Sequence, residues 1–375
     1  MNLQSRLINH KLSYPAFFLL STLLILVCYY QGVNGPFLFD DTPNILKNLA
    51  LQINDLSFES LYNASMSGGA GILKRPVSML TFALNHYFYG SEVASSYKVT
   101  NIVIHIFCFI ATYWFIKLLL NYLELPYSSQ KIKALALAVA ILWAIHPFNL
   151  TSVLYVVQRM TSLSALFSLL TLSSYLYARI KQKHSFYIIS FLLFTLAILS
   201  KENALLLPVF LVVIEVFRSI QRNSIQMPLK ILSLLAAPGL IFICVYLFID
   251  NNVLLRGYEV RQFNMLERLM TQSRVVFEYI QLSLLPNIMS MSIYHDDLKV
   301  SKSIVSPIST LLTAIFHITL ISAAIFFRKK QTLVCFSIVM FYAAHSMESS
   351  ILPLEMMHEH RNYFPLIFLK IWLFK

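Results

Sequence analysis

Two adjacent carboxylates, Asp40 and Asp41, follow an apolar run and precede Thr42-Pro43-Asn44. Paired acids near a helix end can supply a general base and a second group that orients an acceptor or a cation. The same residue types also suit the first turn of a helix, so a helix start is the blander reading. Lys74 and Arg75 are neighbouring cations ahead of Pro76, while Arg159, Lys201 and Arg361 each lie at the edge of an apolar run. An ionisable group placed there is costly unless it is paired or hydrated. Such cations suit an anionic donor phosphate, which Arg can grip in a bidentate way. The alternatives are a solvated loop pair for Lys74-Arg75 and a buried partner such as Glu202 for Lys201. His146-Pro147 reads more readily as a helix kink with a satisfied histidine than as a catalytic group. The remaining polar clusters are Tyr294-His295-Asp296-Asp297 and His358-Glu359-His360-Arg361. The second lacks the i, i+4 histidine pair of a zinc helix, so no metal site is indicated. No nucleophile elbow, P-loop or dinucleotide glycine pattern occurs, which weakens hydrolase and nucleotide-driven readings.

The elements that must position these groups are set by composition. Of 375 residues, 58% are hydrophobic and 12% charged, about half the charged share of a soluble domain. About ten apolar runs are long enough, or nearly so, to cross a bilayer. They lie near 12–30, 99–119, 134–157, 160–178, 185–200, 203–217, 231–249, 304–327, 331–347 and 361–374. The first is too long for a signal-peptide core and lacks a small-residue cleavage site, so it reads as an anchor. The expected fold is an all-α polytopic membrane bundle, a single domain over 1–375. Two long loops, 31–98 and 250–303, carry amphipathic interfacial stretches at Asn54 to Met66, Met79 to Tyr89 and Arg261 to Leu285.

With the N-terminus in the cytoplasm, the inner segments collect Arg6, Lys11, Lys117, Lys131, Lys133, Arg179, Lys181, Lys183, Arg218, Arg222, Lys230 and Arg328 to Lys330, against the acids Glu124 and Glu215. The net charge of +12 is therefore read as topology and not as nucleic-acid binding. That orientation puts every unusual polar cluster on the extracytoplasmic side, as one shared polar cavity would require. Cys28, Cys108, Cys244 and Cys335 sit in separate apolar runs and read as buried small hydrophobes.

The ordered motifs FLFDDTPNILKN (37–48), LKRPVSMLTFALN (73–85), YKVTNIVIHI (97–106), AIHPFNLTSVLYVVQRMTSLSALF (144–167), LSKENALLLP (199–208) and HEHRNYFP (358–365) resemble one family. The chain resembles the multi-pass GT-C glycosyltransferases, in particular bacterial relatives of the transmembrane and tetratricopeptide-repeat protein O-mannosyltransferases. The resemblance implies a plasma-membrane enzyme that moves a sugar, mannose among the candidates, from a polyprenyl-phosphate donor to a hydroxyl of a protein or glycan at the outer face. It maps the catalytic acidic motif onto Asp40 and Asp41. Read from the residues, either acid can take the hydroxyl proton as that oxygen attacks the anomeric carbon with inversion. Lys74, Arg75, Arg159, Lys201 and Arg361 are the candidates for phosphate contact, with His146, Glu202, His358, Glu359 and His360 in support. Relatives continue into a repeat domain, which this chain is expected to lack. A transporter or flippase of a lipid-linked anion, and a non-catalytic membrane assembly partner, are the competing readings. Metal dependence is not readable, since two carboxylates do not make a hard-cation site.

Overall fold

A computed structural model describes residues 13–69, 71–90, 93–222 and 257–373. The described residues form α-helices joined by turns, with no strand among them: α1 Ser13–Tyr30, α2 Phe58–Ser65, α3 Pro76–Tyr89, α4 Ala94–Tyr122, α5 Ser129–Ala144, α6 Asn149–Leu154, α7 Arg159–Lys181, α8 Ser185–Ser200, α9 Leu207–Gln221, α10 Met265–Leu284, α11 Ser309–Phe326, α12 Thr332–His345 and α13 Pro365–Trp372. The all-α membrane fold read from the sequence is the one observed.

Four segments are long and apolar enough to cross a bilayer: Ala94–Tyr122, Val156–Lys181, Glu202–Gln221 and Ser309–Phe326. Tyr14–Tyr30, Ser185–Ser200 and Thr332–His345 are shorter apolar helices. The expected run at 231–249, with Cys244, lies outside the described residues. Two other expected spans take different forms. The run 134–157 breaks after Ala144, because Pro147 has no N–H to donate and its ring excludes a continuing helix. Asn149 Nδ2 caps the cut end by donating to Trp143 O at 2.6 Å. The run 361–374 yields only the short α13, whose residues 365–371 are all buried. It fills the centre of the bundle and presents little side chain to lipid.

Helix α11 behaves in the opposite way. Ile315, Ile318 and Ile325 are more than half exposed, an apolar surface that suits acyl chains and not water. The inner helices are tied at both ends. At the beginnings of α4 and α7, Arg159 Nε donates to Asn101 Oδ1 at 2.6 Å. At their far ends, Arg179 on α7 donates to Tyr122 Oη on α4 at 3.0 Å and to Glu215 on α9 at 2.9 Å. Helices α4, α7 and α9 therefore run in the same direction, and α8 returns between α7 and α9. A 23-residue α7 spans about 35 Å, enough for a hydrocarbon core.

Of the amphipathic stretches, the first becomes α2 and the second α3. The third becomes α10, opened by a capping box in which Asn264 and Glu267 exchange side-chain and backbone bonds at 2.9 and 3.0 Å. Helix α10 pins the segment that follows α12. Its fully buried Arg268 donates to the carbonyls of Glu348, Ser350, Leu354 and Glu355, and Gln272 donates to Met356 O at 2.8 Å.

Candidate active site

The two acids have different surroundings. Asp41 is fully buried. Its Oδ1 accepts from Val157 N at 2.7 Å and its Oδ2 from Leu38 N at 2.9 Å. Burial pushes its carboxyl up to about 6, partly offset by those N–H groups and by Lys98. Asp41 thus clamps the start of the first loop onto the turn ahead of α7. Asp40 faces solvent, with its backbone N–H donating to Tyr155 Oη at 2.9 Å. Of the pair, Asp40 has the accessible carboxylate.

The turn that receives both acids also reaches the cations. Residues 155–161 meet Asp40 through Tyr155 and Asp41 through Val157. Arg75 Nη1 donates to Met160 Sδ at 3.3 Å, and Lys201 Nζ to Thr161 Oγ1 at 3.1 Å. This turn stays irregular because Tyr155 is extended and Val156–Gln158 is a single 3₁₀ turn, so α6 and α7 cannot merge into one rod. Arg159 is absorbed by the same turn. It is fully buried, its three nitrogens donate to Asn101, Thr81 and Tyr97 O, and its guanidinium stacks on Phe82 at 4.6 Å. A guanidinium so occupied serves packing and is not presented to a ligand.

Arg75 Nε pairs with Glu202 at 2.9 Å, and Lys201 Nζ with Glu348 Oε1 at 3.0 Å. Lys74 and Arg75 both adopt left-handed backbone, φ +58° and +51°, a strained arrangement for two consecutive non-glycine residues at the mouth of α3. Gly71 makes the Glu202 contact possible. Its φ is +79°, and a Cβ there would lie 1.9 Å from Glu202 Oε1. Lys74 itself is exposed at the rim.

The 358–361 motif closes the cluster. Arg361 is buried and donates to Met356 O at 3.0 Å and Glu355 O at 2.7 Å. His358 and His360 stack at 4.9 Å. Burial, then the charges of Arg361 and Lys201, drives His358 down to about 3, and His360 is held well below the ordinary histidine value by burial and the same cations. Two neutral imidazoles therefore sit beside the cations. Glu359 faces the second loop and accepts from His295 Nε2 at 2.7 Å. Burial opposes charge on His295, but the bond to Glu359 outweighs it and raises the histidine. One residue before, Tyr294 packs edge-on against Phe39 at 4.3 Å, which brings this loop back to the acidic pair.

A small cavity lies among Thr161, Ser164, Asn203, Glu348, His360 and Arg361, with a volume of about 20 Å³. The structure thus gathers Arg75, Lys201, Glu202, His358, His360 and Arg361, with Asp40 and Asp41 attached to the same turn. Glu359 lies at the edge of this group through its link to His295. His146 stays outside it. Its Nδ1 accepts from Phe148 N at 3.2 Å within its own turn. Sequence reading missed Glu348, which follows an apolar run ending at 347 and has no charged neighbour to mark it. It also missed Tyr155 and Thr161, which look like ordinary helix residues. Among the described residues, no three His, Cys, Asp or Glu side chains are grouped to hold a metal ion.

No protein-family model matches the chain, and no solved structure matches it. The chain spans about a fifth of the length of the curated relatives it matches, the protein O-mannosyl-transferase TMTC4 of Homo sapiens and that of Mus musculus. Identity is 28% and 29% over 158 residues, 40% of this chain and 21% of each relative. Over that part of its length the chain is similar to protein O-mannosyl-transferases.

Proposed function

We propose that this membrane protein is a glycosyltransferase that moves a sugar from a polyprenyl-phosphate carrier to a hydroxyl at the extracytoplasmic face. The observation that carries the reading is the turn 155–161, which holds the backbone of Asp40, whose carboxylate is exposed, on one side and touches two cations on the other. Such a site needs a base near the acceptor and positive charge near the leaving group. Asp40 takes the proton of the acceptor hydroxyl as its oxygen bonds to the anomeric carbon. The bond from that carbon to the phosphate oxygen breaks with inversion, and the polyprenyl phosphate departs against Lys201, Arg75 and Arg361. Asp41 holds the loop that carries Asp40. The neutral rings of His358 and His360 offer hydrogen bonds without adding charge. The names of the relatives make mannose the first sugar to test and a protein Ser or Thr the first acceptor. Basic residues at the Arg179 end of the helices favour a cytoplasmic location for that end and an outer location for the site.

The test is transfer of radiolabelled mannose from polyprenyl phosphate mannose in membranes holding the parent chain or Asp40→Asn. A base contributes about 10²–10⁴ in rate. Retained full activity in the variant removes Asp40 from the reaction.

A further inference from the structure

The cavity beside Lys201 has room for about one water, far less than a phosphate group needs. A donor can reach Lys201 only if a resident group leaves. Glu348 is the anion already there, its Oε1 3.0 Å from Lys201 Nζ, and it lines the cavity together with Arg361. It is also the movable member. Lys201 is fixed from a second side by Thr161 Oγ1 at 3.1 Å, and Arg361 by two carbonyls. The Glu348 side chain hangs from a turn beyond the end of α12, and among the described residues its hold apart from Lys201 is at its backbone carbonyl, by Arg268 at 2.9 Å.

Charge is compatible with the exchange. Arg75, Lys201 and Arg361 face Glu202 and Glu348, so these five groups carry one net positive charge, and replacing one carboxylate by a singly charged phosphodiester keeps that balance. Space decides it, because the cavity cannot hold the phosphate while the Glu348 carboxylate stays. Glu202 has a different role, since it pairs with Arg75 beside Gly71 and does not line the cavity.

We infer that the Glu348 carboxylate occupies the donor phosphate's place in the ligand-free protein and swings out when the phosphate enters. Glu348 is thus a positioning residue: it keeps Lys201 in place and charged between turnovers and competes with the donor for it. The inference rests on the phosphate reading above.

The experiment uses the full chain in lipid nanodiscs and geranylgeranyl methyl phosphate, a phosphodiester with one negative charge, with affinity read by thermophoresis. Glu348→Gln removes the competing charge and keeps the side chain's shape, so the diester should bind about tenfold more tightly than to the parent. Glu348→Asp, which keeps the charge, should stay near the parent value. In the parent, hydrogen exchange of residues 346–351 should speed up when the diester is added, and this measurement stands alone if Glu348→Gln does not fold. Unchanged or weaker binding by a folded Glu348→Gln overturns the inference, as does slowed or unaltered exchange in the diester-bound parent. These results leave the phosphate reading standing provided that the parent binds the diester and Lys201→Met does not. Failure of both the parent and Glu348→Gln to bind it overturns both.

Discussion

Asp41 receives two backbone N–H groups and no solvent, while the carboxylate beside it is open to water, so the same substitution has opposite consequences at the two positions. In Asp41→Asn the amide nitrogen must face one of the two N–H donors. That loss costs about 1–3 kcal/mol, the range for a buried group left unpaired. A pH effect accompanies it. The native carboxyl is raised from 3.8 to about 6, so the folded state holds its proton more tightly than the unfolded chain does. The contribution is full below about 4 and is lost as pH rises through about 6. Thermal unfolding of parent and Asp41→Asn across that window should show the parent losing stability through this group and the variant lacking that component. A pH-independent difference would refute the raised carboxyl.

Among the elements, the second long loop is joined to the 358–361 turn by His295 and Glu359 and to the first loop by Tyr294 and Phe39. His295 is raised above 6.5, so its ion pair contributes stability that is fully present below that value and fades as pH climbs through the raised one. Replacing His295 by Gln should lower the unfolding temperature at pH 6 and narrow its gap to the parent at higher pH. A constant gap would mean that packing alone joins the loops. The helices themselves were legible, because apolar runs and amphipathic spacing are local properties of the chain. The burial of α13 was not. Its seven apolar residues look alike whether they face lipid or other helices, and only the neighbours from α5, α10 and α12 decide which.

Taken whole, the bundle has a polar group at each end of α4, α7 and α9. At the end away from the candidate site, Glu215 accepts from Tyr122 at 2.7 Å, Tyr175 at 2.8 Å and Arg179 at 2.9 Å. Removing a buried carboxylate from such a set strands its partners, at a cost of about 3 kcal/mol. Glu215→Ala should therefore lower the unfolding temperature clearly while leaving diester affinity at the opposite end unchanged. A parallel loss of affinity would show the two ends to be coupled. Ordered motifs named most of the residues that the structure gathers around the turn, including Lys201 and Arg361. They did not separate Arg159 from the other cations, because a buried Arg stacked on Phe82 and one beside a cavity have the same sequence context. They also passed over Glu348, whose meaning depends wholly on a lysine 147 positions earlier in the chain.

In the proposed reaction the turn at 155–161 acts as a common ruler for both halves. On that reading Tyr155 stands on the acceptor side and Thr161 on the donor side, so the interval between nucleophile and leaving group is written into six peptide bonds rather than into the meeting of two mobile bodies. An enzyme gauged in this way tolerates drift in its loops but not a change of length in that stretch. One inserted residue there would leave each half intact and put them out of step, so a protein working as proposed would still hold its lipid and would hand the sugar to nothing.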